Sequence, residues 1–571
     1  MDTTSLRQDR AARFRTGFIA GLAAGAAASG VMLLLNVVFG SISLPEAFGS
    51  ELTALMPAAM FDFLHQLIGG DAKHYLFYGI LVGQCLVFAL SGGLYNLVME
   101  RARAMFGLPA TEQVEPGQEQ AGSSRVLVPA LHMYDGLLLA SALWLLAGLV
   151  LLPLTGAGIF GAQLSAGPID GLLSLGVVGL VFGLLFVLVQ NQLTQGTQSG
   201  SETRPEAEAN RREARRTLLK RGVLVVGAGL LGVAGWHFIT DGLSAPVLSV
   251  TRLVKQYKNK IVPPPVPNYG EITPAPYLSP EVTPNDQYYV VSKNLFSDPS
   301  VDSNNWRLTV SGEVSQPFTL TYKQLLALPM QKQYESMMCV SNEVGGEYMS
   351  NALWEGVRLA DLLQSAGVKP GATKVVFRAV DDYSDSIHLT KALEPTTLLA
   401  VHMNGATLPG GHGFPARMLV PGIYGMKHCK WITQIEVINY DYQGYWQQRG
   451  WSDAAPVRLT ARIDTPLTGT AVRAGKVTFI AGVAFSGNRG ISEVDVSTDG
   501  GQNWQRATLK KPLSGLTWVL WEFPWQVPAK AGSYNVAVRA IDLEGNVQDP
   551  NVAPPAPDGS SGYHSIAMTV L

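Results

Sequence analysis

The chain has 571 residues, 47% of them hydrophobic and only 15% charged, with a formal net charge of −2 and a mean hydropathy of +0.15. Its length calls for several domains, its apolar content excludes a disordered chain, and its near-neutral charge gives no basis for a nucleic-acid partner. Three cysteines, Cys85, Cys339 and Cys429, are too few for a disulfide framework or a four-thiolate iron–sulfur cluster, so any redox centre must use few thiolates.

Residues 1–241 read as a membrane region. Uncharged apolar stretches cover 17–40, 75–99, 136–155, 171–192 and 222–240, each near the ~20 residues a helix needs to cross a bilayer core, which gives about five transmembrane helices. Arg7, Arg10, Arg13 and Arg15 precede the first span, Arg101, Arg103 and Arg125 follow the second, and Arg204 to Arg221 supply seven basic residues before the fifth. By the positive-inside rule the N-terminus is cytoplasmic, and an odd number of crossings exports everything after Thr240. Ala214-Arg215-Arg216-Thr217-Leu218-Leu219-Lys220 resembles a twin-arginine export signal, whose pathway carries domains folded around a cofactor. No clear cleavage site follows, so the fifth span is expected to stay as an anchor. His65, His74, His132 and His237 lie near span ends; a pair of them could ligate haem b, although histidine at a span end is commonly a polar tip among headgroups.

A proline-rich linker, residues 242–287, includes Val262-Pro263-Pro264-Pro265-Val266-Pro267 and is expected to be extended. From 288 to 457, short β-rich runs such as Trp306–Val310 and Lys374–Phe377 alternate with helical ones such as Leu359–Ala366, predicting a mixed α+β domain. Residues 458–571 carry strand patterns at near-regular spacing, with turn signals at Asp499-Gly500-Gly501 and Glu544-Gly545-Asn546. They predict an all-β, immunoglobulin-like sandwich.

Two segments carry candidate chemistry. Cys339 lies in Met337-Met338-Cys339-Val340-Ser341-Asn342, and a lone cysteine is by itself most simply a small buried hydrophobe. Downstream, Pro409-Gly410-Gly411-His412-Gly413-Phe414-Pro415-Ala416-Arg417 and Gly425-Met426-Lys427-His428-Cys429-Lys430-Trp431 combine tight-turn residues with His412, Arg417, Lys427 and Lys430, a composition suited to an anionic cofactor.

With these motifs the chain from about Asp286 to its end resembles the sulfite oxidase family of molybdopterin enzymes. The resemblance implies a catalytic domain followed by an immunoglobulin-like dimerisation domain, hence a homodimer, and a molybdenum ion held by one cysteine thiolate and a pterin dithiolene. Cys339 falls at the metal-ligand position, and a soft thiolate suits such a metal. His412, Arg417, Lys430 and Asp381 fall where the family binds the pterin and its phosphate, Ser292 and Lys293 fall on an Asn-His pair, and His428 and Cys429 replace two small residues that would serve through their backbones. The departures concern substrate: Val344 and Val291 stand where sulfite oxidases have arginines, and Trp451 where they have the active-site tyrosine. A sulfite-like anion would lose charge-assisted hydrogen bonds of about 1.5–3 kcal/mol each. The resemblance extends to a family relative that also lacks these arginines and reduces methionine sulfoxide, and so implies oxygen-atom transfer on a small-molecule or protein-bound S-oxide or N-oxide, with electrons exchanged singly with quinone or a cytochrome. Sulfite dehydrogenation is the alternative, and a non-catalytic membrane-anchored binding or assembly protein is the reading of another class.

Overall fold

The computed structural model describes residues 3–55, 72–106, 131, 133–164, 166–198, 272, 275–295 and 297–571. The chain forms two compact units, one built on the N-terminal helices and the other holding residues 298–571.

In the first unit, α1 (Thr3–Phe39), α2 (Leu44–Leu55), α3 (Ala72–Phe106), α4 (Met133–Leu146) and α5 (Gly167–Gln198) are the main elements. Four helical stretches, Arg10–Phe39, His74–Met99, Met133–Leu154 and Gly167–Thr194, are long and apolar enough to cross a membrane. The fifth predicted span, the arginine pair before it, His65, His132 and His237 lie outside the described residues, and His74 stands in the first turns of α3. Helix α2 is a finding that the hydropathy pattern does not announce. The third stretch is also not a uniform helix: it widens into a π turn at Ala147–Leu151, just before Pro153, which has no backbone N–H and crowds the carbonyl four residues earlier. Small residues let the helices touch. A Cβ on Gly17 would stand 2.3 Å from the Gly92 carbonyl, and one on Gly136 would stand 2.4 Å from that of Gly183. Two buried carboxylates are paired, as apolar surroundings demand: Tyr95 donates to Asp135 at 2.7 Å, and Ser41 to Asp170 at 2.9 Å.

The second unit begins with β1 (Arg307–Gly312), β2 (Phe318–Thr321), α6 (Tyr322–Leu326), β3 (Gln331–Met338), β4 (Met349–Arg358), α7 (Leu359–Ala366), β5 (Lys374–Ala379), β6 (Ser384–His388), α8 (Leu389–Ala392), β7 (Leu398–Met403), β8 (Ala406–Thr407), β9 (Arg417–Leu419) and β10 (Ile432–Ile438). One sheet has the order β2-β1-β10-β5-β6, with only the β1–β10 pair parallel; the other runs β3-β4-β7-β8, with β9 added on β7. Alternation along β1 turns Leu308 and Val310 inward, where they meet Ile435 and Val437 of β10. Helix α7 adds Leu359, Leu362, Leu363 and Ala366, spaced to share one helical face, and stops at Gly367 in the left-handed conformation. A capping box between Thr321 and Gln324 starts α6.

The C-terminal part has two sheets on one core. Strands β11 (Thr460–Thr465), β12 (Ala471–Val472), β13 (Val477–Phe485), β14 (Ile491–Ser497), β15 (Gln505–Arg506), β16 (Thr508–Leu509), β17 (Val519–Gln526), β18 (Gly532–Asp542) and β19 (His564–Val570) form sheets of order β11-β13-β17-β16 and β12-β19-β18-β14-β15. Ile480 and Trp521 of the first meet Val494, Val538 and Met568 of the second. Behind β3 this part locks onto the preceding domain: Ser336 donates its N–H to the Leu516 carbonyl at 3.0 Å and accepts from the Trp518 N–H at 2.8 Å.

Candidate molybdopterin site

Cys339 directly follows β3. Its N–H reaches the Tyr348 carbonyl at 2.9 Å, its carbonyl accepts from Asn342 N–H at 3.1 Å, and its Sγ lies 3.0 Å from Ser341 Oγ. Burial pushes the thiol above its ordinary range while the Ser341 contacts draw it down. Because side chains alternate along a strand, Glu335, Met337 and Cys339 project to the same side of β3.

The glycine-rich loop curls over a short turn at Gly410–His412 and into β9. Gly413 has φ +112°, and a Cβ there would stand 2.9 Å from Lys430 Cβ and 3.1 Å from Arg417 Cβ, so only glycine lets these two cations approach. Arg417 is buried. It donates to the His412 carbonyl at 3.2 Å, to the His428 carbonyl at 3.3 Å and to Met337 Sδ at 3.3 Å, and stacks 5.3 Å over Trp354. Lys430 donates to the Gly411 carbonyl at 3.0 Å, 4.2 Å above the Trp431 ring, while Trp431 Nε1 donates to Gly410 at 2.9 Å. His412 Nε2 contacts the Asn285 carbonyl at 3.0 Å, and its ring stands edge-on to Tyr288. Burial, then the nearby Arg417 and Lys430, lower its pKa to about 4, so it is neutral at pH 7.

The sequence candidates thus fall into two linked groups. Cys339, His412, Arg417, His428 and Lys430 surround β3 and β9. Lys293 stands 5.5 Å over Tyr445, which packs against Tyr383; the Tyr383 N–H bonds Asp381, and Tyr445 leads through Trp446 to Trp451. Trp451 itself is buried with Met338, Val340 and Met426, beside the Cys339 strand end. Ser292 is half-buried in the same N-terminal strap as Lys293. The Tyr383 hydroxyl joins the groups by donating to the Met426 carbonyl at 2.5 Å.

The structure sorts the other loop residues. His428 offers its carbonyl to Arg417, while its ring is tied to Val420 N–H and the Ile423 carbonyl; burial holds its pKa down to about 3. Cys429 lies in the apolar core of the first sheet, where burial pushes its thiol well up; both it and Cys339 are free thiols. Lys427 corrects an expectation. It is not a cation offered to a cofactor but is buried against Asp385 at 2.8 Å, Asp453 at 2.9 Å and the Ser386 carbonyl at 3.0 Å. Asp453 passes to Lys374 at 2.8 Å, and Lys374 to the exposed Asp441, so that an ion network which sequence reasoning misses runs from the buried Lys427 to the surface. Tyr288, Tyr289 and Glu335 escape it as well, having no motif around them.

The fit to a pterin phosphate is visible in two features. Where side chains would stand on Gly410 and Gly411 there is open space, and Arg417 Nε is a buried donor with no hydrogen-bond partner among the described residues. A polar anion set against this loop would find backbone, guanidinium and ammonium donors together.

Known proteins settle the family. Residues 296–446 match the "Oxidoreductase molybdopterin binding domain" family and residues 456–554 the "Mo-co oxidoreductase dimerisation domain" family. Sulfite oxidase of Arabidopsis thaliana is 31% identical over a 335-residue alignment that covers 48% of this chain and 84% of that protein. The chain belongs to the sulfite oxidase family. Molybdopterin is therefore its cofactor, and its N-terminal helices are an addition outside the matched region. Mitochondrial sulfite oxidase of Rattus norvegicus is 33% identical over 330 residues, and this chain spans only 60% of that protein's length. The sulfane dehydrogenase SoxCD structure from Paracoccus pantotrophus aligns with 57% of this chain and 90% of its own, at a TM-score of 0.45 and 21% identity.

Proposed function

We propose that the chain is a membrane-anchored, exported molybdopterin oxidoreductase that transfers an oxygen atom on an uncharged S-oxide or N-oxide. The observation that carries the substrate class is apolar: Val344 and Val291 occupy the positions that the resemblance gives to anion-binding arginines, and Trp451, packed against the strand end before Cys339, occupies that of the active-site tyrosine. In this reading Cys339 ligates molybdenum, which when bound supplies the two-electron oxygen-transfer chemistry. His412, Arg417 and Lys430 hold the pterin and its phosphate, with His428 and Cys429 contributing backbone groups and Asp381, Ser292 and Lys293 closing the pocket. Arg417 can do so because three of its contacts are already spent fixing its plane, leaving Nε as a preset donor.

The membrane helices anchor the chain with its catalytic part outside and meet the electron partner, a quinone or a cytochrome; haem b on span-end histidines is the further possibility, excluded by an absorption spectrum without a Soret band. The two-sheet C-terminal part is the immunoglobulin-like dimerisation module of a homodimer. Metal analysis tests the centre: wild type retains molybdenum, Cys339→Ser loses it, and a wild type without molybdenum overturns the reading. The relatives' name favours sulfite as the second substrate. Steady-state turnover of methionine sulfoxide with an artificial donor, against sulfite with an artificial acceptor, separates the two.

A further inference from the structure

Buried charge in the second unit is mostly matched, as Lys427 shows. Glu335 on β3 is not. Its side chain is 1% accessible, its Oε2 accepts from Gln333 Nε2 at 2.8 Å, and its Oε1 has no hydrogen-bond partner among the described residues. Several groups face it. Arg417 of β9 spends its Nη donors on His412, His428 and Met337, and Lys391 of α8 pairs with Glu394. Tyr288 and Tyr289 come from the N-terminal strap, their hydroxyls likewise without a hydrogen-bond partner among the described residues, and His428 brings Nδ1 to 3.9 Å from Oε1. An ionised carboxylate so placed costs several kcal/mol unless a cation is hydrogen-bonded to it.

We infer that Glu335 is the proton store of the cofactor site, a positioning residue that keeps a proton while the site is electron-rich and releases it as the site loses electrons. The inference rests on the molybdopterin reading of the site. Geometry supplies the link: Glu335 and Cys339 share one side of β3, about 13 Å apart along the strand, with Met337 and its Arg417 contact between them. The chemistry requires protons, since reducing an S-oxide breaks the S–O bond, takes two electrons from a single-electron donor of quinol or cytochrome class, takes up two protons and releases water. In a low-dielectric interior, added negative charge holds a proton on a neighbouring carboxyl. Glu335 is suited to respond, because burial pushes its carboxyl up to about 8, with Gln333, Arg417 and Lys391 drawing it back, while His412 and His428 are held neutral across that range.

The test is a redox titration of the holoenzyme followed by its Mo(V) paramagnetic resonance, repeated at pH values on both sides of about 8. Wild type should show a break in the pH dependence of the midpoint potential that Glu335→Gln lacks and Glu335→Asp retains, displaced. A Glu335→Gln enzyme with the wild-type dependence overturns the proton store and leaves the site reading standing; wild type without molybdenum overturns both. If Glu335→Gln fails to hold molybdenum, infrared difference spectra of wild type carrying isotope-labelled glutamate decide. A protonated carboxyl band present in reduced protein and lost on oxidation supports the store, and a band indifferent to oxidation state, or none, overturns it.

Discussion

Lys427→Met removes one cation from the buried end of an ion network whose outer carboxylates, Asp453 and Asp441, are 30% and 71% accessible. Lys427 and Asp385 are 1% and 0% accessible, and the ammonium makes three contacts of 2.8 to 3.0 Å, to Asp385, Asp453 and the Ser386 carbonyl. Breaking a buried pair from one side strands the other charge, which costs about 3–5 kcal/mol. Asp385 keeps the Ser386 N–H at 2.7 Å and the Tyr383 hydroxyl at 3.2 Å, so the lower half of that range is expected. At about 2–4 °C per kcal/mol for a domain of this size, the melting temperature of the second unit should fall by roughly 6–16 °C. Thermal unfolding of the purified full chain, followed by near-ultraviolet circular dichroism, reads the effect. It should change little with salt, because the pair is buried beyond ionic screening. The double variant Lys427→Met, Asp385→Asn removes both charges and should lose less than the sum of the singles by at least about 1 kcal/mol. Strict additivity, or a single-variant loss below about 1 kcal/mol, would refute the network as a clamp on the 425–430 loop.

Two further expectations concern the same loops. Burial depresses the folded-state pKa of His428 to about 3, so its contribution to stability is complete above the unfolded value near 6.5 and is lost as pH falls from there toward about 3. His428→Gln should therefore flatten the acid limb of a stability–pH curve, and an unchanged limb would count against a buried ring held neutral. Gly413→Ala forces a side chain into φ +112° and to 2.9 Å from Lys430 Cβ; a loss of about 1–3 kcal/mol is expected together with lower molybdenum content, whereas wild-type values for both would show that the loop is not tightly set.

What can be read from the chain without its fold is local chemistry. Cys339 stands out only because the Gly410–Arg417 loop and the Lys430-Trp431 pair lie downstream, and the structure joins that loop to its strand through Arg417 and Met337. Lys427 misleads for the complementary reason. Sequence spacing shows a cation between a methionine and a histidine, but its partners Asp385 and Asp453 lie 42 and 26 residues away and are brought to it by the β5–β6 hairpin and the segment after Trp451. Glu335 is hidden by its setting, since a lone acid among Gln333, Tyr334 and Met337 looks like a solvated strand residue until burial of both β3 faces is known. The N-terminal helices follow the same rule. Hydropathy locates them because apolar composition is a sum over residues, whereas the π turn before Pro153 and the Ser41–Asp170 pairing depend on which neighbour a single group meets. Apolar surface is additive along a chain and legible in it. A buried charge acquires its meaning from its partner, and partners are supplied by topology.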